Sequence, residues 1–159
     1  MPAYPTLKNR SVTLAVTGGI AAYKSCELVR LLKKAGADVR VIMTEAAAHF
    51  VTPLTFEALC GHAVGIENLT RDMPHLAATH GACDLMIVAP ATADILGKAA
   101  YGIADNLVST AIIARAAPLA VCPAMNTRMW GNPAVQRSVK VLADDGVMIW
   151  GPQAGNLAC

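Results

Sequence analysis

Leu85-Met86-Ile87-Val88-Ala89 is an unbroken apolar run that stops at Pro90. A strand with one wet face alternates apolar and polar side chains, whereas an unbroken run suits a strand buried on both faces. Double burial needs helices above and below the sheet, which is the parallel α/β arrangement. Similar short runs occupy residues 12–16, 39–43, 119–122 and 147–150, and each is predicted as a strand.

The segments between these runs read as helices. Over 21–35, Leu28, Leu31, Leu32 and Ala35 recur at helical spacing, while Lys24, Glu27, Arg30, Lys33 and Lys34 fall largely on the other faces. Gly36 is placed to end that helix. Further helices are predicted over 44–50, 53–60, 91–100, 105–116 and 133–144, with Pro53 and Pro133 near helix starts, where proline is tolerated. Strands and helices alternate, so the class is α/β: a single domain over 1–159 with a doubly wound, Rossmann-like or flavodoxin-like parallel sheet and right-handed crossovers. The least regular stretch, 65–74, reads as a surface loop.

Composition narrows the function classes. The chain is 55% hydrophobic and 15% charged, too apolar for disorder and poor in charge for a solitary monomer, which points to burial between subunits. A net charge of +2 gives no nucleic-acid footprint. The first ten residues lack the apolar core of a signal peptide, and no window of about 20 uncharged apolar residues suggests a membrane span. The five cysteines show no paired spacing and are expected as free thiols, with Cys26, Cys60, Cys83 and Cys122 as small buried hydrophobes. No metal site is predicted. His49 and His62 read as surface or helix-end residues.

Three segments sit where strands end, the edge at which open α/β sheets bind ligands. Gly18-Gly19, between strand and helix, lets backbone N–H groups approach a phosphate at the positive end of the helix. The pattern lacks the third glycine of a dinucleotide fingerprint, and no acid stands at the end of the second strand before Thr44 to hold a ribose. A mononucleotide phosphate suits Gly18, Gly19 and Thr44 better, with a plain tight turn as the other reading. Ala89-Pro90-Ala91-Thr92-Ala93-Asp94 closes the buried strand, and Thr92 can cap a helix or donate to a ligand. Asp105-Asn106 similarly opens a helix. The third strand end carries Pro123-Ala124-Met125-Asn126, followed by Thr127-Arg128-Met129-Trp130.

With Gly155-Asn156-Leu157-Ala158-Cys159 behind them, these segments in this order resemble the flavin-containing cysteine decarboxylases, over nearly the whole chain from about Val12 to Cys159. The likeness is strongest to the phosphopantothenoylcysteine decarboxylase domains of coenzyme A synthesis. The resemblance implies flavin mononucleotide (FMN) as cofactor, contacted by Gly18, Gly19, Ile20, Thr44, Phe50, Thr52, Ala91, Thr92, Ala93, Asn106 and Met125. It implies oxidation of the substrate thiol to a thioaldehyde, loss of CO2 and re-reduction of the enethiolate, giving 4'-phosphopantetheine from 4'-phospho-N-pantothenoylcysteine. His75 is then the candidate base. The helix after it is one residue longer than the usual pattern and lacks its tryptophan, which leaves His80 as a rival. Asn126 would hold the substrate carboxylate, Met129 would wall the substrate pocket, and Cys159 on a flap, with Gly155 giving backbone freedom, would protonate the enethiolate.

The same resemblance implies a homo-oligomer, a trimer with the flavin between protomers and dodecamers built from trimers, in the cytoplasm. Because the family continues past this cysteine, the expectation is a shortened chain or the N-terminal part of a bifunctional decarboxylase–ligase, whose absent domain joins cysteine to 4'-phosphopantothenate. The other readings are a flavoprotein acting on peptidyl cysteine, a non-catalytic flavoprotein that regulates a partner protein, a flavin prenyltransferase and a plain NAD-binding module.

Overall fold

The computed structural model describes residues 6–66 and 83–152. Five parallel strands, β1 (Ser11–Val16), β2 (Asp38–Met43), β3 (Leu85–Ala91), β4 (Leu119–Pro123) and β5 (Met148–Ile149), form one sheet in the order β2-β1-β3-β4-β5. The chain moves outward from β1 to β2, then restarts on the other side of β1 at β3. The carboxyl ends of β1 and β3 therefore flank the switch point where ligands bind in such sheets.

Both sheet faces are buried, as the unbroken apolar runs require. Leu14, Val16, Val41, Met43, Ile87 and Ala89 point into one core with Val29 of α1 (Ala22–Lys34) and Phe56 of α3 (Pro53–Cys60). Ala15, Ile42, Met86, Val88 and Val121 point into the other, against α4 (Ala93–Tyr101), α5 (Leu107–Ala114) and α7 (Pro133–Asp144). Neighbours such as Leu14 and Ala15 feed opposite cores, so a one-residue slip of β1 would exchange them. Each fully buried Val, Leu or Ile contributes roughly 1.5–3 kcal/mol, which holds the register.

Several predicted boundaries need correction. β3 runs to Ala91, so the next helix starts at Ala93 rather than 91, and it ends at Tyr101. The helix predicted over 44–50 is the single turn α2 (Glu45–Ala48), and that predicted over 105–116 is Leu107–Ala114. The last strand is the short β5, Met148 and Ile149 lying opposite Ala120 and Val121 of β4, with Trp150 N–H donating to Val121 O at 2.9 Å just past it. Gly65, placed in a loop, instead adds to the sheet edge beyond β2: its carbonyl accepts from Met43 N–H at 2.8 Å and its N–H donates to Val41 at 3.3 Å. The rest of that predicted loop, from 67 on, lies outside the described residues. Thr127–Trp130 forms one helical turn, α6, that periodicity could not reveal in four residues. Gly36 follows the C-cap of α1 at φ +99°, a left-handed conformation that suits glycine and stops the helix as expected.

At the amino-terminal ends of the strands, Asp84 ties the start of β3 to the start of β1. Its carboxylate accepts from Ser11 N–H at 2.8 Å and from Arg10 Nη1 at 3.0 Å. The backbone N–H of Ser11, then the Arg10 guanidinium, hold the Asp84 carboxyl below its ordinary value. A carboxyl depressed in the folded state stabilises above its unfolded pKa of about 3.9, and that stabilisation fades as pH falls through the lower folded value. The melting-temperature advantage of the parent over Asp84→Asn is therefore expected to shrink below about pH 4. An equal advantage at neutral and acid pH would contradict this.

Candidate active site

Side chains and amides sew together the carboxyl ends of four strands. Thr44 N–H at the end of β2 donates to Val16 O of β1 at 3.0 Å. Thr17 Oγ1, just past β1, donates to Pro90 O of β3 at 2.6 Å and accepts from Thr92 N–H at 3.2 Å. Ala124 N–H, just past β4, donates to Ala91 O at 3.1 Å. This row brings Gly18, Gly19, Thr44, Ala91, Thr92, Ala93, Met125 and Asn126 to one edge of the sheet.

The turn from β1 into α1 is built for close backbone approach. A Cβ at Gly18 would lie 2.5 Å from Ala46 Cβ and 2.9 Å from Ala46 backbone carbon, so only glycine lets α2 sit against the turn. A Cβ at Gly19 would meet nothing nearer than Thr92 Cγ2, at 3.7 Å. Helix α1 has no side-chain N-cap. Among the described residues, the N–H groups of Gly18, Gly19, Ile20 and Ala21 donate no hydrogen bond. Consecutive unpaired amides at the positive end of a 13-residue helix are a ready phosphate cradle. Thr44 and Thr92 cap α2 and α4, accepting from Ala47 N–H at 3.1 Å and Ile95 N–H at 3.4 Å, and capping leaves each hydroxyl proton free to donate. The residues present therefore fit a flavin mononucleotide, with amides and threonine hydroxyls for the phosphate.

Exposed apolar side chains follow the ends of β1, β2 and β4. Ile20 and Phe50 are each about half exposed, at 54% and 51%, and Met129 is 44% exposed. Met125 is partly buried against the core formed by α4, α5 and α7. Thr52 precedes α3 without capping it; its hydroxyl pairs with that of Thr55 at 3.2 Å.

Asn126 is held in a defined orientation. Its Oδ1 accepts from Met129 N–H at 2.9 Å, capping α6. With the oxygen committed to the backbone, the amide NH2 is the part of the exposed side chain left to bind an anion. Asn106 is used differently. Its Oδ1 accepts from Ser109 N–H at 2.9 Å and its own N–H donates to Ser109 Oγ at 3.0 Å, a reciprocal capping box. Lys98 bridges Asp94 at 3.0 Å and Asp105 at 3.2 Å, fastening this loop to α4. Its hydrogen bond holds the Asp105 carboxyl below its ordinary value. No described contact joins Asn106 to the strand-end row.

His75, the rival His80, Gly155 and Cys159 lie outside the described residues. The other four cysteines are free thiols; Cys60 is buried, while Cys26, Cys83 and Cys122 are only partly so, a correction to their reading as fully buried. Burial pushes the Cys26 and Cys122 thiols up, which favours their protonated form. His49 is exposed at the end of α2, and His62 Nε2 lies 2.7 Å from Asp38 Oδ1 at the amino-terminal end of β2, so both stand apart from the row. Sequence reasoning missed the buried hydroxyl of Thr17, whose only signal was a polar residue closing an apolar run. Among the described residues, no His, Cys, Asp or Glu cluster suits a metal, and no helix is long and apolar enough to cross a membrane.

Comparison with known proteins agrees with this geometry. Residues 2–159 match the Flavoprotein family. The chain is 49% identical over 157 residues to the coenzyme A biosynthesis bifunctional protein CoaBC of Bacillus subtilis (strain 168), covering 96% of this chain and 38% of that protein. It thus spans about two fifths of the length of the curated relatives it matches. Among solved structures, it resembles the FMN-dependent cysteine decarboxylase SpaF, with TM-score 0.81 and 32% identity over 88% of this chain and 82% of that one. It also resembles a PPC decarboxylase mutant complexed with pantothenoylaminoethenethiol, with TM-score 0.80 and 30% identity over 94% of this chain and 85% of that one.

Proposed function

The chain belongs to the Flavoprotein family, and from that premise we propose that it is an FMN-dependent decarboxylase converting 4'-phospho-N-pantothenoylcysteine to 4'-phosphopantetheine. The observation that carries this reading is the strand-end row: a phosphate cradle at α1 joined through Thr17, Thr92 and Ala91 to a segment whose Asn126 amide is left to donate. The likeness to CoaBC and to a PPC decarboxylase supports the choice of substrate.

Gly18, Gly19, Ile20 and Thr92 would hold the flavin phosphate, with Thr44 beside them, and Phe50, Thr52, Ala91, Ala93, Asn106 and Met125 would complete its surroundings. When bound, the flavin supplies reversible hydride acceptance at the carbon that bears the substrate sulfur. Asn126 binds the substrate carboxylate through its NH2 and keeps it oriented for loss of CO2. His75 takes the thiol proton as general base, a role for which imidazole is suited near neutral pH. A thiol of ordinary pKa, about 8.5, is mostly protonated at neutral pH, which suits Cys159 to return a proton to the carbon that CO2 leaves. Met129 walls the substrate side. The half-exposed Ile20 and Phe50, with the low charge content, support burial against a second copy. A homotrimer, a ligase domain or partner downstream and a cytoplasmic location complete the reading.

The likeness to SpaF, an FMN-dependent cysteine decarboxylase, is equally compatible with a second reading, in which the cysteine acted on belongs to a peptide. Competition separates the two: FMN-loaded protein receives the phosphorylated small molecule and a peptide ending in cysteine at equal concentration. CO2 from the small molecule alone is expected. Preferential decarboxylation of the peptide would overturn the substrate assignment.

A further inference from the structure

The ladder between β1 and β3 stops at Ala15–Val88. Past it, β3 continues through Ala89, Pro90 and Ala91, and its register against β4 shifts between Val88 and Ala91. Ala89 and Pro90 are buried, so their carbonyls need donors that the β1 backbone does not give. Two hydroxyls supply them. Ser25 Oγ on α1 donates to Ala89 O at 2.7 Å, and Thr17 Oγ1 donates to Pro90 O at 2.6 Å. Both side chains are buried, Thr17 being 1% and Ser25 3% exposed.

The two hydroxyls differ in what they also hold. Ser25 satisfies a carbonyl upstream of the bend. Thr17 in addition accepts the N–H of Thr92 at 3.2 Å, and its oxygen lies 3.4 Å from Thr92 Oγ1. It thus pins both sides of the Pro90-Ala91-Thr92 bend against the turn that carries Gly18 and Gly19. We propose that Thr17 is a positioning residue for the cofactor phosphate: its hydroxyl sets the spacing between the α1 amide cradle and Thr92, without touching the ligand. This rests on the flavin reading above.

The test compares Thr17→Val, Thr17→Ser and Ser25→Ala in the full chain. Apoprotein melting and FMN dissociation constants from quenching of flavin fluorescence are the two readouts. Thr17→Val and Ser25→Ala each orphan a buried carbonyl, so both should melt below the parent. Thr17→Val is expected to weaken FMN binding at least about tenfold, equal to about 1.4 kcal/mol. Ser25→Ala should stay within about threefold, and Thr17→Ser should bind as the parent does, because serine keeps the donor and the acceptor. Equal losses of affinity in Thr17→Val and Ser25→Ala would reduce Thr17 to a structural role and overturn the proposal, as would unchanged affinity in Thr17→Val. A parent that binds no FMN would instead overturn the flavin reading itself, and the positioning role with it.

Discussion

Asn126→Asp is expected to lower kcat/KM for 4'-phospho-N-pantothenoylcysteine by about 10²–10³-fold, the usual cost of removing one donor from a reacting anion. The substitution is chosen because it separates chemistry from folding. Asn126 caps α6 through Oδ1 and Met129 N–H, and aspartate caps a helix start as well as asparagine does. Thermal stability and flavin content should therefore match the parent within error. What changes is the other end of the side chain, where the neutral donor that the proposed function assigns to the substrate carboxylate becomes a second carboxylate. Turnover within about threefold of the parent would remove Asn126 from the substrate site.

Gly18→Ala should cost about 1–3 kcal/mol of stability, the typical price of overpacking, and should weaken flavin binding with it. The added methyl has nowhere to go: Ala46 Cβ is 2.5 Å away and Ala46 backbone carbon 2.9 Å. Either α2 moves, taking the Thr44 cap with it, or the β1–α1 turn opens and the amides of the cradle separate. Gly19→Ala is the control, since its methyl meets only Thr92 Cγ2 at 3.7 Å and the protein should melt close to the parent. Adding Ala46→Gly to Gly18→Ala should recover only part of the loss, because the backbone contact remains. Calorimetric melting of the three proteins decides this; equal melting of Gly18→Ala and Gly19→Ala would contradict it.

What could be read from the sequence follows from how each feature is encoded. The double burial of β3 was legible because Leu85 to Ala89 carries no polar residue, and the two cores confirm it. The glycine turn was legible as a place of close approach, although nothing in the sequence says that Ala46 is the atom it approaches. The end of β3 was not legible: proline normally closes a strand, and here Thr17 and Ala124 supply the hydrogen bonds that carry it on to Ala91. Gly65 was missed because a single residue on the sheet edge has no periodicity. Asn126 was read as an anion holder through resemblance; what the structure adds is a helix cap, its oxygen accepting from Met129 N–H, which the sequence reading did not include. Asn106 was read either as a simple helix cap or as a flavin contact, and its local hydrogen bonds are those of a capping box with Ser109.

The central claim, FMN-dependent decarboxylation, is tested most directly by supplying carboxyl-labelled 4'-phospho-N-pantothenoylcysteine to FMN-loaded protein without oxygen and following labelled CO2 and product mass. The predicted result is CO2 released in step with a thiol product lighter by one CO2, with the flavin oxidised again after each turnover. His75→Asn should retain flavin and release none. Yellow protein that releases no CO2 from this substrate in the full-length chain would contradict the claim.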